Sequence, residues 1–579
     1  NVRTDYTHDP EGRLASTTQA VGTPLARTRT YTWLPGYNLP LTETEPVLVN
    51  GTPGTRTTSW TYDAQRRPTS RTVSVPDGAG GLAQRTWTYE YDTSGRLWKA
   101  AEPGGRLTEL LYNSYGDVVA RIEDPTTTAE RITRWGGHRA DGLPRWSLDP
   151  HGIATLLEWD AAGRLLESRA AVLASVPSDP LLGATSWTPT LPTSGTRAKA
   201  YTYNEVGLLA RTDHVDGTYT TLSYDAVNRL VGTALFGVDD SLVSTMELTL
   251  DVMSNVTGTT LKDAQGQVVR AEGAVYDSQY RVAQALNAAQ QAVWSQTFDA
   301  MHRPTSNTDV LGRTNAQQYD VLGRMLTHTD ALNQVSTLTY GPGDEVRTAT
   351  DARGVQTTYA YNGFGEMLEI ASPDRGTWVF SYDTAGRRTS MTDPRGVLAN
   401  YSHDALGRVV STVYSDDGVS GSQNGFLAGD VTHSFDYDSC TSGVGRLCSV
   451  TDPTGTTAYS YNAWGEVVEK AWTGKAGTPG AGITLSTGYG YDATTGQLKT
   501  VTMPSGKVLA VSYGPDGRPS ALDYGVDRMV ANVQWTAFDA VKGWVWPMSV
   551  GWSGIHSTVS FDYDLDGRPV AIEDLDERE

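Results

Sequence analysis

The sequence predicts an all-β protein built as one long array of antiparallel β-hairpins, with almost no helix. Three observations support this fold class. A turn-like signature returns at a fixed interval of 21 residues, short alternating segments separate the turns, and the composition is rich in turn-forming and aromatic residues, with 60 Gly, 29 Tyr and 16 Trp. A fixed period in this range marks a repeat architecture, in which each unit buries its apolar surface against the next.

The signature is Tyr-Asp-x-x-Gly-Arg, and its Asp position recurs every 21 residues between Phe298 and Val409. In such a turn the Asp side chain can hold the backbone, and Gly supplies a positive φ. Looser copies read Tyr361-Asn362-Gly363-Phe364-Gly365-Glu366 and Tyr461-Asn462-Ala463-Trp464-Gly465-Glu466. The clearest copies comprise Tyr91, Asp92, Gly95 and Arg96; Tyr319, Asp320, Gly323 and Arg324; Tyr382, Asp383, Gly386 and Arg387; and Tyr563, Asp564, Gly567 and Arg568.

A second turn marker stands ten residues after each signature Asp. An example is Asp393-Pro394-Arg395-Gly396, which suits a type I turn. Between the two turns, aromatic residues take every second place, as in Trp378-Val379-Phe380-Ser381-Tyr382. Alternation between turn signals indicates strands, so each unit is predicted to be one antiparallel hairpin.

The array is expected to run continuously over 1–579, with changes in regularity along the way. Residues 1–170 carry looser units, and the Pro- and Gly-rich segments 45–56 and 76–82 are predicted to be lengthened turns. Residues 171–200 break the pattern and are interpreted as an insertion, either a surface decoration or a plug or contact loop on the wall. Regular 21-residue repeats occupy 277–410, and loosened repeats with long loops at 415–432 and 473–487 occupy 411–579.

One local segment competes with the repeat. Leu286 to Val293 contains helix-forming residues, but Asn287 lies ten residues after Asp277, where a mid-unit turn belongs. We predict a turn here, because a register kept over many units outweighs local propensity.

The charge excludes one class of function. The formal net charge is −20 at pH 7, whereas nucleic-acid binding needs a basic face. Solubility and the use of Asp in turns account for the acidity, and an acidic lumen holding a basic cargo is the alternative. No apolar stretch reaches transmembrane length, and both ends of the sequence interrupt the repeat as if cut from a longer protein.

The two cysteines, Cys440 and Cys448, flank an expanded signature turn. If they lie on facing strands, their Cα atoms come within disulfide range, and free thiols are the alternative. A disulfide favours an oxidising, exported location.

One match to a metal-binding pattern needs weighing. Asp562, Asp564 and Asp566, followed by Glu573, satisfy the EF-hand loop pattern. That motif requires flanking helices, whereas the residues on both sides alternate as strands do. A hairpin turn is therefore the preferred interpretation, and a calcium site is the weaker candidate. No other metal, cofactor or catalytic signature is predicted, so the chain is not expected to be an enzyme.

The recurring Tyr-Asp-x-x-Gly-Arg signature resembles the Rhs/YD-repeat family over nearly the whole chain. The resemblance implies a β-hairpin ribbon that spirals into a hollow shell, as in bacterial Rhs polymorphic toxins, in insecticidal toxin-complex cocoons and in the more distant teneurins. It implies a secreted or cell-surface protein whose shell encloses a toxic C-terminal polypeptide and partners a secretion apparatus or toxin-complex component.

In the bacterial family, the core domain that releases the toxin ends in an Asp-Pro-x-Gly-Leu type motif. Asp149-Pro150-His151-Gly152 and Asp452-Pro453-Thr454-Gly455 lack the Leu. This chain is therefore expected to hold neither that protease nor a toxin. A surface adhesion or glycan-binding ribbon, with Trp and Tyr as stacking platforms, is the alternative function.

Overall fold

A computed structural model of the protein describes residues 3–78, 80–125, 130–415, 430–547 and 556–577. These residues form a single sheet of 46 strands. One short 3-10 helix, Leu182–Ala184, lies within the insertion. The prediction of an all-β hairpin array with almost no helix is confirmed.

The strands of the first half are β1 (Asp5–His8), β2 (Leu14–Gln19), β3 (Arg27–Trp33), β4 (Pro40–Val49), β5 (Thr52–Tyr62), β6 (Pro68–Pro76), β7 (Leu82–Tyr91), β8 (Leu97–Ala101), β9 (Leu107–Tyr112), β10 (Val118–Glu123), β11 (Arg131–Gly136), β12 (Trp146–Leu148), β13 (Ile153–Trp159), β14 (Leu165–Val172), β15 (Arg197–Tyr203), β16 (Leu209–Asp213), β17 (Tyr219–Tyr224), β18 (Leu230–Phe236), β19 (Leu242–Leu250), β20 (Val256–Asp263), β21 (Val268–Tyr276), β22 (Val282–Leu286) and β23 (Ala292–Phe298).

The strands of the second half are β24 (Pro304–Asp309), β25 (Thr314–Tyr319), β26 (Met325–Thr329), β27 (Val335–Tyr340), β28 (Val346–Thr350), β29 (Gln356–Tyr361), β30 (Met367–Ser372), β31 (Gly376–Tyr382), β32 (Arg388–Thr392), β33 (Leu398–His403), β34 (Val409–Ser415), β35 (Val431–Tyr437), β36 (Leu447–Thr451), β37 (Gly455–Tyr461), β38 (Val467–Gly474), β39 (Thr484–Tyr491), β40 (Leu498–Thr502), β41 (Val508–Tyr513), β42 (Pro519–Tyr524), β43 (Asp527–Trp535), β44 (Val541–Trp546), β45 (His556–Tyr563) and β46 (Pro569–Glu577).

Each strand pairs antiparallel with the strand that follows it in sequence, so the chain is one uninterrupted meander. The hairpin of β25 and β26 shows the repeating unit. Its register runs from Ala316 opposite Thr329 and shifts by one residue just before Tyr319, which faces Met325. The five residues 320–324 therefore form the signature turn. Turns alternate between the two edges of the ribbon, with signature turns on one edge and mid-unit turns on the other.

The two faces of the ribbon differ in chemistry. Successive side chains of a strand point to opposite faces, so the residue before each signature aromatic lies on the other face. That face, the hydroxyl face, is rich in Thr and Ser, and cross-strand hydroxyl pairs join Thr297 to Ser306 at 2.6 Å and Thr339 to Thr348 at 2.7 Å. The opposite face, the aromatic face, carries the half-buried Tyr340 and its counterparts.

The ribbon closes into a spiral of about two circuits. Hydrogen bonds join residues 269 to 315 positions apart in sequence, and they recur along the chain. Each circuit contains about 24 strands: Asn50, between β4 and β5, meets Tyr361 at the end of β29. At about 4.8 Å per strand, the circumference is about 115 Å and the diameter about 37 Å.

A wall of this kind is hollow rather than solid. The chain exposes 32018 Å² of solvent-accessible surface, whereas a compact monomer of its mass would expose about 20,000 Å². Few side chains are fully buried, and the best-defined apolar cluster comprises Trp146, Leu148, Ala154 and Leu182, where the insertion covers the sheet. The predicted spiralling, hollow arrangement is thus confirmed.

Local expectations had different outcomes. The turn at Asn287 is confirmed, because β22 ends at Leu286 and β23 begins at Ala292. The lengthened turn predicted for 45–56 is wrong. Val49 faces Thr52 across a tight turn, so the extra residues lengthen two strands instead. The loop predicted at 473–487 is confirmed over 475–483, whereas most of 415–432 lies outside the described residues.

Candidate functional site

The signature turn is held by one carboxylate. Asp320 Oδ1 accepts the backbone N–H groups of Leu322 and Arg324, both at 2.9 Å, and Oδ2 accepts Arg324 Nε at 2.7 Å. Gly323 has φ +91°, in the left-handed region that suits glycine. The side chains of Asp320 and Arg324 are only 3% and 11% exposed, so this ion pair is shielded from water.

The same arginine ties its hairpin to the next. Arg324 Nη1 donates to the carbonyl of Gly341 at 2.9 Å, and its guanidinium carbon lies 4.8 Å from the centre of the Tyr340 ring. The Tyr340 hydroxyl donates back to the carbonyl of Met325 at 2.7 Å. Turn, cation and aromatic ring thus form a clamp between neighbouring hairpins, and the cation–π contact adds to the hydrogen bonds.

The clamp recurs at other predicted signature residues, with variations. Asp92 and Arg96 repeat it in full, with Tyr112 as the covered ring. Asp383 and Arg387 make the turn bonds and the bond to the next turn. Tyr382 is the signature aromatic of this unit. The preceding signature turn ends in Glu366 instead of Arg, so it supplies no guanidinium to cover the Tyr382 ring. The positive φ is kept at Gly95, Gly386 and Gly567.

The contacts between circuits define a second site, which we call the seam. It joins mid-unit turns and nearby strand residues of the first circuit to signature turns of the second. Backbone bonds run from Val238 N–H to the Pro515 carbonyl at 2.8 Å and from Ala271 N–H to the Leu565 carbonyl at 2.9 Å. His151 Nε2 lies 2.6 Å from the Val444 carbonyl oxygen.

Two arginines lock the seam with the same geometry. Arg85 Nη2 lies 2.7 Å from Glu366 Oε1, and its guanidinium carbon lies 3.9 Å from the centre of the Phe364 ring. In the second lock, Arg197 Nη2 lies 2.7 Å from Glu466 Oε1, and the guanidinium carbon of Arg197 lies 4.1 Å from the centre of the Trp464 ring. The four charged side chains are between 14% and 18% exposed.

These locks use the looser copies of the signature. Asn replaces Asp and Glu replaces Arg, and the Asn amide donates to the Glu: Asn362 Nδ2 to Glu366 Oε2 at 2.7 Å and Asn462 Nδ2 to Glu466 Oε2 at 2.6 Å. The turn keeps its shape, but its outer group is now an anion that accepts an arginine from the other circuit. Sequence reasoning missed this role. The sequence did contain a signal for it: in both copies Asn replaces Asp and Glu replaces Arg, and an aromatic residue stands two positions after the Asn.

The insertion at 171–200 packs on the hydroxyl face. Trp187 meets Trp146 edge-on with ring centres 5.0 Å apart, and Trp146 is fully buried. Trp146 pairs with Leu156, which lies three residues before the signature aromatic Trp159 and therefore on the opposite face. Arg134 donates to the carbonyl of Asp179 at 2.9 Å, so the insertion is anchored to the sheet. The insertion ends where Arg197 begins β15 and enters the seam.

The second circuit leaves a large cleft at the seam. A space of about 820 Å³ opens between residues 241–269 on one side and residues 514–542 and 561–565 on the other, and it is lined by aromatic side chains such as Trp535, Phe538 and Tyr563. Between the flanking seam contacts at Val238 and Ala271 the first circuit has two strands, β19 and β20, whereas the described residues of the second circuit form four, β42 to β45. No histidine lines the described part of this cleft, so those residues do not bring together a histidine and a carboxylate for acid–base chemistry.

The predicted cysteine pair flanks the expanded turn between β35 and β36, with Cys440 in the turn and Cys448 in β36. Cys440 and Cys448 form a disulfide with Cα atoms 5.5 Å apart. Asp438 in the same turn lies 2.5 Å from Arg408 Nη2 of the preceding signature turn. The disulfide therefore closes a turn that takes part in the clamp.

The candidate metal residues belong to a hairpin. Asp564 Oδ1 accepts the backbone N–H groups of Asp566 at 3.0 Å and Arg568 at 2.9 Å, while Asp566 accepts the Ala288 N–H across the seam at 2.8 Å. Asp562 lies in β45 and Glu573 in β46. Over the described ranges, no group of three or more His, Cys, Asp or Glu side chains is placed to hold a metal ion. In that same part of the chain, no helix has the length and apolar character needed to cross a bilayer.

Comparisons with known proteins agree with this architecture. The RHS Repeat family model matches residues 382–419. No curated protein matches the chain by sequence. The crystal structure of TcdB2-TccC3-Cdc42 matches with a TM-score of 0.67 and 12% identity, over 100% of this chain and 41% of that one. TcdB2-TccC3 without its hypervariable C-terminal region matches with a TM-score of 0.68 and 12% identity, over 99% and 41%.

The Photorhabdus luminescens Tc holotoxin pore gives a TM-score of 0.62 at 11% identity, over 100% of this chain and 41% of the matched chain. At these identities the similarity establishes the fold, and the chain spans about two fifths of the length of these structures. The recurring signature, the repeat-model match at residues 382–419 and the fold shared over the whole chain agree with the resemblance to the Rhs/YD-repeat family.

Proposed function

We propose that this chain is a wall segment of a hollow shell that encloses a toxic C-terminal polypeptide of the same protein until delivery. The observation that carries the proposal is the seam, which joins two circuits of a single-layer sheet into one curved wall. A closed β wall isolates its cargo because a folded or unfolded polypeptide cannot pass through a hydrogen-bonded sheet. The likeness to Tc toxin structures over the full chain supports this role.

In this proposal the wall performs no chemistry of its own. Its most repeated polar residues, the signature Asp and Arg, are occupied in turn and clamp contacts. The partners would be the remainder of the same polypeptide and a secretion-apparatus or toxin-complex component. Export fits the disulfide between Cys440 and Cys448, because such bonds persist in oxidising compartments.

The alternative, a glycan-binding ribbon, needs a row of uncovered aromatic rings. In the signature units the rings of Tyr112, Tyr319 and Tyr340 are covered by guanidinium groups of the preceding hairpins. The exposed rings of Tyr115 and Tyr280 stand on separate hairpins. The covered rings of the signature units therefore favour enclosure over adhesion.

The test is protease protection in the natural full-length protein. We expect the C-terminal polypeptide to resist digestion, and the double variant Arg85→Ala/Arg197→Ala to be cut there at least tenfold faster because the seam is weakened. Arg71→Ala serves as the matched control, since Arg71 stacks on Trp87 of the adjacent strand and does not reach the seam. Equal cutting of wild type and seam variant, or a cryo-EM map with an open ribbon and no enclosed density, would contradict enclosure.

A further inference from the structure

The seam locks have a further copy that is unoccupied within the described residues. Tyr112-Asn113-Ser114-Tyr115-Gly116-Asp117 repeats their pattern, with Asn in the Asp place, an aromatic two residues later, and an acid in the Arg place. The local geometry is also the same. Asn113 Nδ2 donates to Asp117 Oδ2 at 2.9 Å, and Asn113 Oδ1 accepts the N–H groups of Tyr115 and Asp117 at 2.9 and 3.0 Å.

This copy differs from the other two in what covers it. Phe364 and Trp464 are half-buried beneath an arginine, whereas Tyr115 is 91% exposed. Asp117 makes no ion pair within the described ranges, although Glu366 and Glu466 each have one. A large aromatic ring and a carboxylate are thus presented together at a rim of the wall.

The position of the copy explains why it is open. Signature turns of the second circuit pack against mid-unit turns of the circuit before them. The signature turn at 113–117 belongs to the first circuit, so its edge points away from the second. In the two filled locks the arginine precedes its Glu by 281 and 269 residues. The same spacing counted back from Asp117 falls upstream of Asn1.

We propose that Tyr115 and Asp117 form a docking site for an arginine of a further circuit, in polypeptide that precedes this sequence. The guanidinium would lie on the Tyr115 ring and pair with Asp117, as Arg85 does with Phe364 and Glu366. Charge and shape both select arginine, because its planar group can stack on a ring and bond a carboxylate at once. The inference rests on the repeated geometry of the locks and is independent of what the shell encloses.

The experiment is site-directed photocrosslinking in the natural full-length protein. A benzophenone amino acid replaces Tyr115, Phe364 or Tyr280 in turn, and the crosslinked peptides are sequenced. Phe364 is the positive control, expected to capture the peptide containing Arg85. Tyr280 is the negative control, since it is also an exposed aromatic of a first-circuit signature turn, at 54%, but has no acid in the Arg place.

We expect position 115 to capture an arginine-containing peptide upstream of Asn1, with a yield within about threefold of that at position 364. Asp117→Arg should lower this yield at least tenfold, and exchange of the captured arginine for Asp should restore it. The matched variant Glu205→Arg, at an exposed acid of the first-circuit signature turn at 204–208, should leave it unchanged. A yield no higher than at position 280, or capture of a separate polypeptide, would overturn the proposal. If protease protection fails but crosslinking at position 115 succeeds, the proposal of enclosure is wrong and the proposal of docking at Tyr115 and Asp117 stands.

Discussion

The guanidinium carbon of Arg197 lies 4.1 Å from the centre of the Trp464 ring, so a residue at the end of the insertion is stacked on a turn of the next circuit. Nη2 of the same arginine lies 2.7 Å from Glu466 Oε1, and the side chains of Arg197 and Glu466 are both 18% exposed. This one contact joins the two circuits through a ring, an ion pair and a shared turn. Its strength can be measured.

Arg197→Ala should weaken the seam locally. The substitution leaves Glu466 half-buried without its cation and uncovers Trp464, and we expect a coupling of about 1–3 kcal/mol in a double-mutant cycle with Glu466→Ala. Hydrogen exchange at residues 462–466 is the measurement, because local opening of a repeat array need not change global unfolding. Arg71→Ala is the control that should leave these amides unchanged. Additive effects of the two single variants would show that the pair contributes no coupling.

The clamp predicts a difference between two aspartates that share the same turn bonds. Asp320 and Asp330 each accept two backbone N–H groups of their own turn, but only Asp320 also holds an arginine. We expect Asp320→Ala to lower the free energy of unfolding by about 2–3 kcal/mol and Asp330→Ala by about 1 kcal/mol, because bonds to charged groups are the stronger ones.

Denaturant unfolding followed by tryptophan fluorescence would compare these variants. The double variant Asp320→Asn/Arg324→Glu recreates the pairing found at Asn362 and Glu366. It should recover part of the loss within the turn, though not the bond to Gly341. Equal losses for the two Ala variants would contradict a clamp that acts through Arg324.

Acid should release the signature turns at a pH set by their carboxylates. The hydrogen bond from the Arg281 side chain, helped by backbone N–H groups, lowers the pKa of Asp277 from 3.8 to about 2. A depressed folded-state pKa gives stability that is present above the unfolded value and lost as the pH falls through the folded value. The turn at 277–281 should therefore loosen between about pH 4 and pH 2.

Hydrogen exchange of a peptide spanning 277–281, corrected for intrinsic rates, would follow this loss. Asp277→Asn should flatten the pH dependence of that peptide, because no proton is then taken up at the turn. A wild-type profile that stays flat from pH 4 to below pH 2 would show that the Asp277 carboxylate does not hold the turn.

The disulfide should stabilise the expanded turn between β35 and β36. For a loop of this size the chain-entropy model gives about 2–3 kcal/mol, so reduction should lower the melting temperature. The variant Cys440→Ser/Cys448→Ser should melt at the reduced value and respond to no reductant. An unchanged melting temperature on reduction would mean that the bond adds nothing to the clamp formed by Asp438 and Arg408.

Much of this protein was predictable because its interactions are local. The signature turn is closed by bonds between residues four apart, as where the Arg324 N–H donates to Asp320 Oδ1, so the motif specifies its own structure. A fixed 21-residue spacing then places each turn beside the next. The segment at Asn287 follows the repeat for the same reason. The error at 45–56 arose because Pro and Gly were taken as loop formers, whereas their strands pair along a long, regular ladder.

The seam could not be predicted from the same information. Whether Arg85 meets Glu366 depends on the circumference of the spiral, which accumulates small twists and bends over about 24 strands. The sequence by itself determined the hairpin unit, the order of pairing and the two-sided chemistry of the ribbon, because these follow from contacts within one or two units. Only the tertiary structure decided which turns meet, which face the insertion covers and which copy of the lock is left open, because each depends on the closure of the whole circuit.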